Sequence, residues 1–122
     1  MFCSLLVFIL GCADNRPVKG RYPKAGLASW YSAARTSTGD KYDGKDFTCA
    51  MRRIDFGKFY KVCRTDSDKC VVVRHNDFGP AKYMYNRGRI IDLSRAAFAE
   101  LAPLSDGLVE VTVEEAFVQT GK

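Results

Sequence analysis

Short runs in which apolar and polar residues alternate recur along this chain. The clearest run covers residues 108–114, where valines and polar residues alternate strictly. Because successive side chains of a strand point to opposite faces, this period of two predicts a half-buried β-strand. Other runs rich in β-branched and aromatic residues cover 27–31, 58–63, 70–76 and 89–93. Many short strands with a single helix predict a small barrel.

One helix is predicted, over residues 94–102. Asp92 or Ser94 can cap its first turn, and Pro103 ends it. Its apolar stripe has helical spacing and consists of Leu93, Ala97, Phe98 and Leu101.

The runs on either side of residues 65–68 predict a hairpin whose register can be tested internally. If Cys63 lies opposite Cys70, then Val62 faces Val71 and the apolar side chains of both strands share one face. A disulfide between these cysteines and the hydrophobic pattern therefore require the same register. A bridge that closes so short a loop contributes about 2–3 kcal/mol.

The start of the chain has the character of an export signal. Residues 1–11 are mostly apolar and too short to span a bilayer, although the usual basic residues at the start are missing, which indicates a truncated or mis-assigned start. Ile9-Leu10-Gly11-Cys12 resembles a bacterial lipobox, which predicts a lipid anchor on Cys12. Ala13 then implies the periplasmic face of the outer membrane. The alternative is an ordinary signal peptide with a chance Gly-Cys pair.

Export would place the protein in an oxidising compartment, where disulfides persist. Residues 12–25 are basic and interrupted by proline and glycine, which predicts a flexible tether before a domain over 26–116 and a tail over 117–122.

Cys49 is left as a buried free thiol or as a competitor for the predicted bridge. With one histidine and no Cys-x-x-Cys pair in the chain, we expect no metal site, and we expect no cofactor.

The net charge of +5 is concentrated in the predicted tether, where it favours simple solvation. Attraction to anionic lipid or to wall polymer is the alternative. Nucleic acid is a poor fit, since the body offers no basic helix or aromatic stacking sheet. We expect a monomer.

The candidate chemistry lies in Val71-Val72-Val73-Arg74-His75-Asn76-Asp77-Phe78-Gly79-Pro80. If this run is a regular strand, His75 and Asp77 share a face and reach its end together. The alternative interpretation is a strand that enters a solvated turn, because Asn-Asp-x-Gly-Pro is common turn chemistry.

Several blocks occur in an order that resembles the rare lipoprotein A (RlpA) family. The blocks are Gly26-Leu27-Ala28-Ser29-Trp30-Tyr31, Ser37-Thr38-Gly39-Asp40, Thr48-Cys49-Ala50-Met51-Arg52, Phe56-Gly57, the run that ends Asn76-Asp77-Phe78-Gly79-Pro80, and Arg89-Ile90-Ile91-Asp92-Leu93-Ser94. The resemblance implies a mainly β fold, a six-stranded double-psi β-barrel with one short helix, related to barwin and expansins.

The resemblance also implies a peptidoglycan lytic transglycosylase, a lyase that leaves 1,6-anhydro products in the cell envelope. The family's catalytic aspartate falls on Asp77, its glutamate on Asp40, and its histidine on Met51, which cannot transfer a proton. His75 is a candidate replacement, an idea that comes from this sequence and not from the family.

Aromatic and amide side chains near this block could bind sugar rings, namely Trp30, Tyr31 and Asn76. Core packing is the alternative role for the aromatic residues. Two other functions stay open, a non-catalytic glycan-binding module of the expansin or barwin kind and a structural envelope lipoprotein that binds a protein partner.

Overall fold

In the computed structural model of the protein, residues 24–33 and 35–117 are described. The predicted signal, the anchor at Cys12, most of the tether and the last residues of the tail lie outside them. Six strands form a closed barrel: β1 (Lys24–Trp30), β2 (Thr48–Met51), β3 (Phe59–Arg64), β4 (Cys70–Phe78), β5 (Arg89–Leu93) and β6 (Leu108–Ala116).

The strands follow the order β1-β5-β2-β4-β3-β6 around the barrel. β1 pairs with β5 and β2 pairs with β4 in parallel, while the remaining four pairings are antiparallel. The two parallel pairings are joined by the antiparallel pairing of β2 with β5. Strands from the first half of the chain therefore alternate around the barrel with strands from the second half. The predicted double-psi β-barrel is confirmed.

The β3–β4 hairpin has the predicted register. Cys63 pairs with Cys70 and Val62 with Val71, and the apolar face of the hairpin is buried in the barrel. A disulfide joins Cys63 to Cys70, and Cys49 is a buried free thiol.

Within the described part of the chain, two short helices pack outside the barrel, α1 (Lys82–Tyr85) and α2 (Arg95–Leu101), with a 3₁₀ turn at Leu104–Asp106. Ser94 caps α2: its hydroxyl oxygen accepts a hydrogen bond from the Ala97 N–H at 3.3 Å and donates one to the Asp46 carbonyl at 2.6 Å. Asp92, the other predicted cap, lies inside β5 instead. Among the described residues, no helix combines the length and apolar character needed to cross a bilayer.

The pattern of residues did not predict β2 or α1. All four residues of β2 are buried, so no alternation of apolar and polar residues marks it. β1 begins at Lys24, two residues before the predicted start of the domain, because β6 extends far enough to pair with it. Gly26 lets β1 lie close to β5, since an added Cβ would be 2.8 Å from Ile90 Cγ2 and 2.9 Å from the Gly88 carbonyl.

Removing the hairpin bridge should destabilise the barrel. The double substitution Cys63→Ser, Cys70→Ser is expected to lower the free energy of unfolding by about 2–3 kcal/mol, because the unfolded chain regains the entropy of an open loop. Urea unfolding followed by tryptophan fluorescence measures the change. The matched control is Asp68→Ala in the exposed loop of the same hairpin. An equal loss of unfolding free energy in both variants would show that the disulfide makes no specific contribution to stability.

Candidate functional site

An irregularity in β4 decides where the candidate residues point. In the β2–β4 ladder, Cys49 pairs with His75 but Ala50 pairs with Asp77, so Asn76 is an extra residue without a partner. This is a β-bulge, which shifts the side-chain alternation by one position. His75 therefore points to the inner face, as its partner Cys49 does. Asp77 points to the opposite, outer face, as its partner Ala50 does.

The predicted placement of His75 beside the Asp77 side chain in a groove is wrong. The His75 imidazole is fully buried in the barrel. Its Nδ1 lies 2.6 Å from Asp55 Oδ1, and its Nε2 lies 2.9 Å from the backbone carbonyl of Asp77, not from the carboxylate. The period-two argument failed because it assumed a regular strand through Asn76.

Four hydrogen bonds hold the half-buried Asp77 carboxylate. Oδ1 accepts from the Ser37 N–H at 3.0 Å, the Ser37 hydroxyl at 2.7 Å and the Phe78 N–H at 2.9 Å. Oδ2 accepts from the Tyr31 hydroxyl at 3.0 Å. A carboxylate that accepts from four donors is in the arrangement of the ionised form, which has no proton of its own to donate.

Tyr31 is fixed as a hydrogen-bond donor. Burial raises the pKa of its phenol far above the ordinary value, and the charge and hydrogen bond of Asp77 raise it further. Its ring packs against Tyr42, with centroids 5.1 Å apart. Tyr31 therefore keeps its proton and orients Asp77, so the predicted substrate-binding residue contacts the predicted catalytic residue directly.

Asp40 occupies a different position from Asp77. Its carboxylate lies 3.3 Å from an Arg74 nitrogen and 3.4 Å from the Asn76 amide nitrogen. Hydrogen bonds from Thr38, Arg74 and Asn76, in decreasing order, hold the pKa of this carboxyl below its usual range. Asp40 is thus an ionised group rather than a proton donor.

A polar cavity of about 280 Å³ adjoins Asp40. It is lined by acidic, basic and hydroxyl side chains that include Tyr42, Asp43, Thr48 and Arg74. Asp77 is not among the lining residues, so the structure does not place the two predicted carboxylates in one cavity. The segment 36–40 connects them, because Ser37 binds Asp77 while Asp40 lines the cavity.

The other two predicted glycan-binding residues are largely enclosed. The Trp30 ring packs against the core, and its Nε1 donates to the Leu104 carbonyl at 3.0 Å. Asn76 is 3% exposed, and its Oδ1 has no hydrogen-bond partner. Packing explains Trp30, and the bulge explains the burial of Asn76.

Asp92 is a carboxylate that the sequence argument assigned to helix capping. It is buried in β5, where its Oδ1 accepts from the Arg89 Nε at 3.1 Å and from the Ser29 hydroxyl. Asp92 pairs with Ala50 from one side, as Asp77 does from the other, so both carboxylates share a sheet face. Its position inside an apolar run was the available signal, since a charged residue in a buried strand needs partners.

Ser37 and Asp55 were also missed. Both lie in irregular segments whose folded position no periodicity indicates.

No group of three or more histidine, cysteine or acidic side chains within residues 24–33 and 35–117 could hold a metal ion.

The environment of Asp40 makes a pH dependence testable. Thr38→Ala should raise the pKa of Asp40 toward its usual value, because the largest hydrogen bond to the ionised form is lost. Since the folded pKa is depressed, ionised Asp40 stabilises the fold above its unfolded pKa of about 4, and this stabilisation disappears as the pH falls through the folded value. The stability advantage of wild type over Thr38→Ala should therefore be larger at about pH 6 than in strong acid, where Asp40 is protonated in both proteins.

Carboxyl ¹³C NMR titration follows Asp40 directly. Asp66, whose pKa Arg64 lowers at the far hairpin loop, is the internal control and should titrate identically in both proteins. An unchanged Asp40 titration in Thr38→Ala would contradict the assigned cause.

Comparison with known proteins places this architecture in a family. The family model described as lytic transglycolase matches residues 23–113. An endolytic peptidoglycan transglycosylase RlpA of Neisseria meningitidis serogroup A is 35% identical over 98 residues, which cover 77% of this chain and 39% of the relative. The Vibrio cholerae protein of the same name is 37% identical over 97 residues, covering 76% of this chain and 35% of the relative. The chain thus spans less than half the length of these relatives.

Solved structures share the fold at low identity. The Streptomyces papain inhibitor has a TM-score of 0.63 at 24% identity, over 77% of this chain and 94% of that one. An expansin of Clavibacter michiganensis has a TM-score of 0.58 at 18% identity, over 80% of this chain and 52% of that one. The closed barrel, the ordered sequence blocks and the extent of the family match agree, and the chain belongs to the RlpA-like, double-psi β-barrel family of lytic transglycolases.

Proposed function

We propose that this domain is a peptidoglycan lytic transglycosylase that uses Asp77 as its acid and base. The observation that carries the proposal is the outward-facing, half-buried Asp77 carboxylate, which the bulge separates from the core and which Ser37 and Tyr31 orient. The names of the RlpA relatives supply the substrate class, peptidoglycan. The resemblance to that family implies cleavage of the bond between N-acetylmuramic acid and N-acetylglucosamine.

The reaction needs one carboxyl group with two successive roles. The protonated carboxyl gives its proton to the oxygen of the leaving sugar. The resulting carboxylate then takes the proton of the C6 hydroxyl of N-acetylmuramic acid, whose oxygen closes the 1,6-anhydro ring without water. To begin this cycle Asp77 must hold a proton, so the glycan has to replace some of the four donors that surround the carboxylate.

Ser37 is the donor that a bound glycan can replace. Its hydroxyl is exposed and lies 2.7 Å from Oδ1, whereas the Phe78 N–H belongs to the strand itself. Tyr31 keeps its proton and can retain Oδ2 in place while a sugar hydroxyl approaches. Asp40 stays ionised and serves to orient substrate hydroxyls beside Arg74.

The contacts of Asp92 agree with chemistry at a single carboxyl. Asp92 is a buried residue of β5. Asp92 is also engaged by Ser29 and Arg89, so Asp77 is left to act alone.

The second candidate is a glycan-binding module without catalysis. The chain has one histidine, His75, and it is fully buried; Met51, at the family's histidine position, is 2% exposed. The groove therefore offers no imidazole. A mutant form of the similar expansin, which this chain matches over 52% of its length, was solved in complex with cellohexaose, so one protein that contains this fold binds an oligosaccharide.

Asp77→Asn separates the two candidates. The amide preserves the shape but cannot hold the transferred proton, so release of anhydro-muropeptides from purified peptidoglycan should fall by at least about 100-fold. Binding to the same material in a pull-down should stay within a few-fold of wild type. Mass spectrometry of the soluble products gives the rate.

Asp68→Asn is the matched control, because it makes the same change in the exposed hairpin loop and should leave cleavage intact. Equal release by wild type and Asp77→Asn would refute the assignment of Asp77. Retained binding with no release by wild type at any pH would establish the binding module.

We also propose that the domain works in the cell envelope, attached through lipid on Cys12 to the periplasmic face of the outer membrane. The lipobox-like Ile9-Leu10-Gly11-Cys12 supports this, and it precedes the described residues. Cys12→Ala should move the protein from the membrane fraction to the soluble periplasmic fraction, since one acylated terminus is the predicted attachment. Unchanged fractionation and processing would disprove lipidation, and Cys49→Ala is the control.

A further inference from the structure

The buried His75 imidazole has an acceptor at each ring nitrogen. Nδ1 lies 2.6 Å from Asp55 Oδ1, and Nε2 lies 2.9 Å from the Asp77 carbonyl oxygen. A backbone carbonyl can only accept a hydrogen bond, and the same is true of an ionised carboxylate. The pattern is therefore that of a buried imidazolium with two N–H donors, paired with the partly buried Asp55 carboxylate.

Asp55 has the contacts of an ionised group. Its Oδ2 accepts from Arg53 Nε at 2.9 Å and from the Tyr60 hydroxyl. Burial alone would raise the pKa of Asp55, but the hydrogen bonds from Tyr60, Arg53 and His75 outweigh burial and lower it. The loop before β3 thus supplies the negative charge that a buried imidazolium requires.

The aromatic rings and the thiol beside His75 are uncharged. The Phe56 ring lies 4.9 Å away between centroids and the Tyr60 ring 6.3 Å away. Cys49, its partner in β2, is a buried thiol whose pKa is raised by burial, so it stays neutral.

One peptide group connects this pair to the candidate active site. The carbonyl of the Asp77–Phe78 peptide accepts from His75, while its N–H donates to Asp77 Oδ1 at 2.9 Å and to the Ser37 hydroxyl oxygen at 3.2 Å. A peptide group is planar, and in the trans form its C=O and N–H point in opposite directions. Fixing the carbonyl from inside the barrel therefore fixes the donor that reaches the carboxylate outside.

We propose that His75 is a positioning residue: its imidazolium, held by Asp55, sets the orientation of the Asp77–Phe78 peptide and through it the Asp77 carboxylate. The role does not rest on the proposed function, because the carboxylate has to be oriented whether the groove cleaves glycan or only binds it. It also explains why the single histidine can matter to the site without touching a substrate.

Two substitutions at His75 separate positioning from simple packing. In Gln the amide nitrogen can stand where Nε2 stands, so His75→Gln keeps the donor to the Asp77 carbonyl. In Asn the amide nitrogen stands closer to the place of Nδ1, so His75→Asn keeps the donor to Asp55 and loses the one to the peptide. Both variants bury a neutral amide of similar polarity, which makes each the control of the other.

Carboxyl ¹³C NMR of Asp77 is the measurement, because it reports on the carboxylate without requiring activity. His75→Asn should shift the Asp77 resonance well beyond the change seen at Asp66, the remote internal control, and His75→Gln should not. Imidazole ¹⁵N spectra of wild type at about pH 6 should show both ring nitrogens protonated.

Two results would overturn the proposal. One is an Asp77 resonance that responds equally to both substitutions or to neither, and the other is a ring nitrogen without a proton. If His75→Asn fails to fold, Asp55→Asn replaces it, since it removes the anion while keeping the shape. An Asp77 resonance displaced in Asp55→Asn supports the proposal, and an undisplaced one rejects it.

Discussion

One extra residue in β4 decides which side chains the barrel encloses and which it presents. If β4 ran regularly through Asn76, His75 and Asp77 would point to the same side. Because the strand bulges at Asn76, the imidazole enters the core and the carboxylate faces outward. The arrangement of the candidate site follows from this displacement, because Ser37 and Tyr31 can reach Asp77 only on the outer face.

The bulge in β4 also gives the carboxylates of Asp55 and Asp77 different kinds of partner. The partly buried Asp55 is paired with His75 and Arg53, whereas Asp77 is held on the outer face by neutral donors. A carboxylate surrounded by hydroxyl and amide groups carries its charge without a counter-ion, and such donors are easier for a polar ligand to replace than an ion pair is. The outer carboxylate is therefore the one suited to exchange its partners during a reaction.

The parts of the fold that were predictable from sequence are those where one rule sufficed. The β3–β4 register followed from two independent constraints, cysteine spacing and the apolar face, and β6 followed from strict alternation. β2 was not predicted because all of its residues are buried, which leaves no alternation of apolar and polar positions. The bulge was not predicted because a periodic pattern contains no sign of where the period is interrupted, and the placement of His75 was misjudged as a result.

Contacts between distant segments were beyond any local pattern. Ser37 and Asp77 lie forty residues apart, and the loop that carries Ser37 has no repeat that indicates its folded position. The family resemblance identified Asp77 and Asp40 from motif positions, but it carried no information on His75, whose pairing with Asp55 depends on side chains of this particular chain.

Two very small residues lie beside Asp77 and Asp92. Ala50 lies between Asp77 and Asp92 in the ladders, and a side chain added at Gly79 would stand 3.9 Å from the Ala50 methyl and 3.8 Å from Asp92 Oδ2. Gly79 therefore approaches the buried Ala50 and Asp92 without a side chain of its own. A bulky residue at either position would have to displace these neighbours, so related proteins could alter the setting of both aspartates while every acidic residue remained in place.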